Sequence, residues 1–350
     1  MGKWEQCDYP HRRTVGKRKD NLQSRKRQSL MLASLTQSRY SVRISSPRGF
    51  AVIRRYLCLY PIVVMAIGFF ALASAISKPA EGGFMVTLRS RASAPGKEAV
   101  APTERKVNWD PKKTAIIVCD MWDHHWCKSA EARVGELAGP MNELLKAARA
   151  KGMFIIHAPS TCTGFYKDTP QRKRAQTAPF AKTPQPLVAN DRWGTAWNWP
   201  DGKREGVLPI DDSDMGCDCK VKCEIKPPWT RQIAALDIAE GDAITDDGQE
   251  TWNLLTERKI ENVVLCGVHL NMCVLGRPFA IRGMVKQGAN VALIRDMTDT
   301  MYNPDHPPGI SHFEGTDRVV EHVERFWCPS FVSSDITGKP AFRFKADGRK

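Results

Sequence analysis

The 350-residue chain has room for one large domain or two small ones, and with 42% hydrophobic and 26% charged residues it can bury a core. Its net charge of +14 suggests nucleic acid until it is located: residues 1–55 carry 14 Lys/Arg against Glu5, Asp8 and Asp20, a net of +11, leaving +3 for the other 295. That near balance argues against nucleic acid as a partner of the folded part.

The basic leader (1–55) is followed by Tyr56 to Ser77, uncharged and mostly apolar, between Arg54-Arg55 and Lys78. About 20 such residues span a bilayer as a helix. Ala73-Ser74-Ala75 has the small-x-small pattern that signal peptidase cuts. A cleaved export signal is favoured over a retained anchor, so the expected location is periplasmic or extracellular, with membrane contact through the leader only. The n-region is long for a signal. Either Met31 is the better start, or residues 1–50 are a disordered basic tail.

Residues 78–108 are rich in Ala, Pro, Ser, Lys and Arg and read as a linker. One domain is expected over 109–330, with 331–350 as a tail. Thr114 to Cys119 is a continuous apolar run, the pattern of a strand buried on both faces. From Ser129 to Ala150, Leu137, Met141, Leu144, Leu145 and Ala148 recur at helical spacing, and Gly152 closes the helix. Met153 to His157 is a second buried strand.

Residues 159–230 hold many Pro, Gly, Asp and Trp and little periodicity, the character of a functional loop or lid. Trp193, Trp197 and Trp199 in it could wall a pocket or anchor the loop. Helices at Gly248–Glu257, Val274–Gln287 and Thr316–Phe326 then alternate with strands at Asn262–Val268 and Asn290–Arg295. Strands alternating with helices imply a three-layer α/β/α fold around a mostly parallel, Rossmann-like sheet. Catalytic groups in such sheets sit beyond the carboxyl ends of strands. Asp120, His157 and the segment Gly267–Cys273 all occupy that position. A thiol at a helix N-terminus favours its nucleophilic thiolate, which singles out Cys273.

Other side chains have weaker claims. Asp123, His124, His125 and His157 could gather near the strand tips as metal ligands, but adjacent polar residues after a strand are more often an ordinary loop, so no metal or other cofactor is expected. Asp296 reads as a capping acid rather than a catalytic one. Eleven cysteines allow disulfides in an exported chain. Cys217, Cys219 and Cys223 form a C-x-C-x3-C cluster, read first as a local disulfide and second as a metal site.

Ala115-Ile-Ile-Val-Cys-Asp120-Met121 resembles the opening strand of the isochorismatase-like cysteine hydrolases, the family of nicotinamidases and related amidases. Gly267-Val-His-Leu-Asn-Met-Cys273 resembles its nucleophile motif, commonly G-V-x-T-N-x-C. The likeness covers roughly residues 110–300, with the middle poorly matched. It implies hydrolysis of an amide-type C–N bond of a small molecule through a Cys273 thioester, with Asp120 as base. It also implies a cis peptide joining Val268 to His269, and an oxyanion hole made by the N–H groups of His269 and Cys273. Trp122, Asn271 and Trp197 are the residues expected at the substrate. Homo-oligomers are frequent in the family.

The family's third catalytic residue is a lysine, and counting back from Gly248 places Glu240 there. Lys226 is the nearest lysine upstream that could substitute; His157 or His269 could instead supply the charge. Otherwise the chain is a non-catalytic binding protein of the same fold, or an Asp-based hydrolase of the isochorismatase type. Trp122 stands where the family often has Gln. The nicotinamidase metal motif is replaced by Pro159-Ser-Thr-Cys162.

Overall fold

Eight strands form one sheet: β1 (Phe84–Ser90), β2 (Thr103–Trp109), β3 (Thr114–Cys119), β4 (Phe154–Ala158), β5 (Ala243–Ile244), β6 (Asn262–Val268), β7 (Asn290–Asp299) and β8 (Ser330–Phe331). The computed structural model describes residues 82–92, 101–185 and 194–349, all in the unit Lys78–Lys350. The expectations for the leader, for Tyr56–Ser77 and for Trp193 lie outside the described residues. The strand order is β2-β1-β8-β7-β6-β3-β4-β5. Pairing is parallel from β8 through to β5, and β1 runs antiparallel to both its neighbours.

All residues of β3, β4 and β6 are buried, because helices cover both faces of the sheet. On one face, α1 (Lys128–Lys151) packs Leu137, Met141, Leu144 and Leu145 over Ile116, Val118, Val264 and Ile294. α2 (Pro170–Thr177) lies in the long excursion after β4. The opposite face is covered by α3 (Gly248–Glu257), α4 (Cys273–Gly276), α5 (Ile281–Lys286) and α6 (His312–Phe326). These bring Leu254, Val274, Ile281 and Val319 over Ala115, Ile117, Leu265 and Leu293. Successive residues of β3 thus feed opposite cores, as the strand period of two requires. α7 (Ser334–Thr337) closes the first face through Ile336. The result is the three-layer α/β/α fold expected.

Several boundaries are corrected. The linker read at 78–108 contains β1 and all of β2 but its last residue, Trp109. In β1, Phe84, Val86 and Leu88 alternate inward, an amphipathic signal masked by the polar composition around it. Each buried side chain contributes about 1.5–3 kcal/mol. β2 stays soluble as an edge strand because Glu104, Arg105 and Lys106 face solvent. The tail read at 331–350 includes α7, and Phe344 is buried in the core. The helix expected at Val274–Gln287 is two short helices, α4 and α5. Pro278 disfavours the α conformation at the residue before it, and Arg277 is extended at φ −62°, ψ 151°. α6 begins at His312, four residues earlier than its periodicity suggests, behind a capping box of Ser311 and Glu314.

Candidate active site

The tips of β3, β5 and β6 converge. Register places Cys119 beside Ala158 on one side and Gly267 on the other. Gly267 has φ +103°, and a Cβ there would lie 2.0 Å from the Cys119 carbonyl oxygen. Only glycine lets the chain after β6 lie directly on the end of β3.

Asp120 is fully buried and adopts φ +48°, a left-handed conformation that Asp tolerates better than most residues. Its Oδ1 accepts the Ser160 N–H at 2.7 Å, and its Oδ2 accepts the Arg277 Nε–H at 3.3 Å. Beyond β6 the Val268–His269 peptide is cis. The His269 carbonyl accepts the N–H groups of Met272 at 3.0 Å and Val274 at 3.2 Å, which turns the chain into α4. Asn271 Oδ1 accepts the Met301 N–H at 2.9 Å, while its Nδ2 donates to the Met301 carbonyl and to Asp212, each at 3.0 Å. Asn271 therefore orders the elbow through its side-chain hydrogen bonds.

Cys273 is the first residue of α4 and is 8% exposed. Burial pushes the neighbouring Cys119 thiol well up, and its interactions with Asp120 and then Cys273 push it further. Asp120 and Cys273 therefore both lie within electrostatic reach of one thiol. α4 is a single turn of four residues, so the dipole behind Cys273 is smaller than that of the long helix expected.

The cation beside the carboxylate is Arg277. Its N–H bonds the Cys273 carbonyl at 2.9 Å, one turn from the thiol, while its guanidinium reaches Asp120. The break before Pro278 frees the chain at this point. Lys226 lies exposed in the 221–230 segment and does not occupy this position. Glu240 is corrected too: it is exposed and precedes β5, whereas the sheet's chemistry lies past the strand's carboxyl end. The group there is Asp246. Burial raises the Asp246 carboxyl and the charge of Asp120 raises it further, against the Thr161 N–H bond (2.8 Å) and Arg277. Neither histidine replaces the lysine. His157 is buried between Gln232 at 2.8 Å and Asp242 at 3.1 Å. Burial, reinforced by His125, holds His269 well below its ordinary value, so it is neutral.

Aromatic rings flank these groups. Trp122, two residues past Asp120, stacks on Trp229 at 4.1 Å and donates its Nε1–H to the Ser160 carbonyl. His125 stacks on both indoles and meets the His269 ring edge-on at 4.9 Å. Burial lowers His125 to about 4, so it too is neutral at pH 7. On the other side Trp197 lies against Gly276, where any Cβ would strike its ring, and Arg277 sits over that ring at 5.3 Å. Trp199 is 44% exposed.

The metal ligands considered in the sequence have other occupations. Asp123 clamps Thr230 through its N–H and hydroxyl, His157 faces Asp242, and His124 faces Glu131 at 3.7 Å. Asp296 caps Ser333 and the Phe342 N–H, in keeping with its reading as a capping acid. Cys217, Cys219 and Cys223 are free thiols, so the local disulfide is not formed, and Cys127 joins them. Arg277, Asp246 and Cys127 were missed in the sequence. The Arg277-Pro278 pair was the available signal for the first, and the position after β5 for the second.

The fold and these groups define an α/β protein with a thiol, two carboxylates and a guanidinium at its strand tips. No family model and no curated protein matches the chain. Among solved structures it is similar to a cysteine hydrolase from Pseudomonas syringae pv. phaseolicola 1448A, at 18% identity and TM-score 0.42, covering 66% of this chain and 95% of that one. It is also similar to an isochorismatase from Pseudomonas putida KT2440, at 13% identity and TM-score 0.39, covering 65% and 92%. A third is N-carbamoylsarcosine amidase from Thermoplasma acidophilum, at 13% identity and TM-score 0.35, covering 63% and 96%.

Proposed function

We propose that the protein is a hydrolase that cleaves an amide-type C–N bond of a small molecule through a thioester on Cys273, with Asp120 as the base. The observation that carries this is Arg277, whose backbone is bonded to Cys273 and whose guanidinium is paired with buried Asp120. One turn of chain thereby couples thiol, carboxylate and compensating charge.

Asp120 takes the thiol proton, and the thiolate attacks the carbonyl carbon. The oxyanion that forms is met by the N–H groups of His269 and Cys273, each such donor contributing roughly 3 kcal/mol in known oxyanion holes. Asp120 returns its proton to the leaving nitrogen, the C–N bond breaks, and a thioester and a free amine result. Water, deprotonated by Asp120, then attacks the thioester; the acid leaves and the thiol is restored. Arg277 compensates the carboxylate between steps. Trp122 and Trp197 form the walls that restrict the substrate to a small molecule.

The short α4 favours one competing reading, in which Asp120 directs hydrolysis and the thiol is incidental. Iodoacetamide labelling with peptide mapping, together with turnover of a small-amide panel, separates them. Selective alkylation of Cys273 that is lost in Asp120→Asn, with a trapped acyl adduct in the mass spectrum, supports the thioester route. Full turnover in Cys273→Ala would transfer the role to Asp120. Slow, indiscriminate labelling with no turnover would leave a binding protein of this fold.

A further inference from the structure

Cys127 lies 90 residues before Cys217 in the sequence, yet its Sγ and those of Cys217 and Cys219 all fall within 4.8 Å of one another. Cys127 is the N-cap of α1, and the other two come from the irregular segment before β5. Cys127 and Cys219 are 3.8 Å apart. A disulfide needs about 2.05 Å. Tetrahedral zinc, with Zn–S bonds of about 2.3 Å, sets its sulfurs about 3.8 Å apart. A fourth thiol, Cys223, is half-buried four residues further along the same segment, where its Sγ lies 4.0 Å from the Val221 carbonyl oxygen.

We propose that Cys127, Cys217 and Cys219, with Cys223 as the fourth ligand, hold a structural zinc ion. A donor set of sulfur alone selects a soft or borderline ion, and four protein ligands leave no open position for catalysis. The carboxylate alongside, Asp218, is engaged by Arg133 at 2.7 Å and so stays out of the donor set. The surroundings of Cys219 suit a thiolate. Ser129 offers its N–H at 3.3 Å and its hydroxyl at 3.1 Å to Cys219, and the first turn of the 24-residue α1 adds its positive end. Binding one zinc(II) ion releases four thiol protons and leaves a dianionic cluster, with no change of oxidation state.

The site would fix the 217–223 segment to the start of α1. From there Asp218 pairs with Arg133, Arg133 with Asp299 at 2.8 Å, and the Asp299 carbonyl accepts the Leu270 N–H of the elbow at 2.7 Å. A structural ion here therefore braces the strand-tip groups from outside them.

The test uses the full chain purified under reductant and without chelator. The expected result is zinc at about one equivalent by elemental mass spectrometry, lost in Cys217→Ser and Cys219→Ser and bound more weakly in Cys223→Ser. Cobalt(II) exchanged into the wild-type chain should show sulfur-to-metal charge transfer and the intense visible bands of a tetrahedral ion. That spectrum stands even if a serine variant fails to fold. A metal-free chain that gives no such cobalt spectrum overturns the proposal, and so does a disulfide among the four cysteines in non-reducing peptide maps. These readouts follow metal rather than turnover, so their failure is distinct from failure of the hydrolase reading.

Discussion

Replacing Arg277 with methionine keeps most of its apolar stem and removes the cation that faces Asp120. The pair is deeply buried, with side-chain exposures of 10% and 0%. Removing one partner of a buried ion pair costs about 3–5 kcal/mol because the other is left uncompensated. The Nε–Oδ2 distance of 3.3 Å is long for a charge-assisted bond, which puts the loss near the lower end, about 3 kcal/mol. For a domain of this size that is a fall in Tm of roughly 6–12 °C. The loss should also depend on pH. Asp246 is already raised above 3.8 by burial and by Asp120, and Arg277 opposes that rise. Without Arg277, Asp246 keeps its proton over a wider range in which the unfolded chain has released it. The native state then binds more protons than the unfolded state, so stability falls as pH rises through that window. Each further unit of rise adds about 1.4 kcal/mol. Calorimetric melts at pH 4.5 and 7 should show the larger deficit at pH 7, and Arg277→Lys should recover most of it. A Tm within a degree of wild type, or equal deficits at both pH values, would refute the reasoning.

Three further outcomes are expected. Gly267→Ala places a methyl 2.0 Å from the Cys119 carbonyl at φ +103°, so it should abolish soluble expression or cost more than about 4 kcal/mol in a urea titration. Burial alone would raise Glu205, yet hydrogen bonds from His322, Arg282 and Trp327 outweigh it and bring its carboxyl to about 2. Its stabilising contribution, about 3 kcal/mol, is therefore present above 4.5 and lost as pH falls towards 2. Glu205→Gln should flatten the acid limb of stability against pH and lower stability at pH 7. Ser311→Ala removes the side-chain half of the α6 capping box, leaves the backbone N–H at 311 bonded to Glu314, and should cost about 1 kcal/mol in the same titration, with spectra of the folded state unchanged.

The chain by itself determined the central layer of the fold. β3, β4 and β6 were legible because a strand covered on both faces must be apolar throughout. The stripe of α1 was legible because one buried face imposes a 3.6-residue period. Asp120 and Gly267–Cys273 were legible because strand ends and an elbow leave local marks, among them a glycine where the backbone closes onto its neighbour. β1 was not, since its alternation has only three inward members, Phe84, Val86 and Leu88, and lies amid linker-like composition.

The tertiary structure alone decided which groups share the strand tips. Arg277 meets Asp120, and Asp246 joins them, only because parallel register brings β3, β5 and β6 to one edge. Cys127 meets Cys217 and Cys219 across 90 residues of chain because the irregular segment folds back on α1. Local sequence records how each segment buries itself; the charges and sulfurs that face one another are fixed by which segments become neighbours.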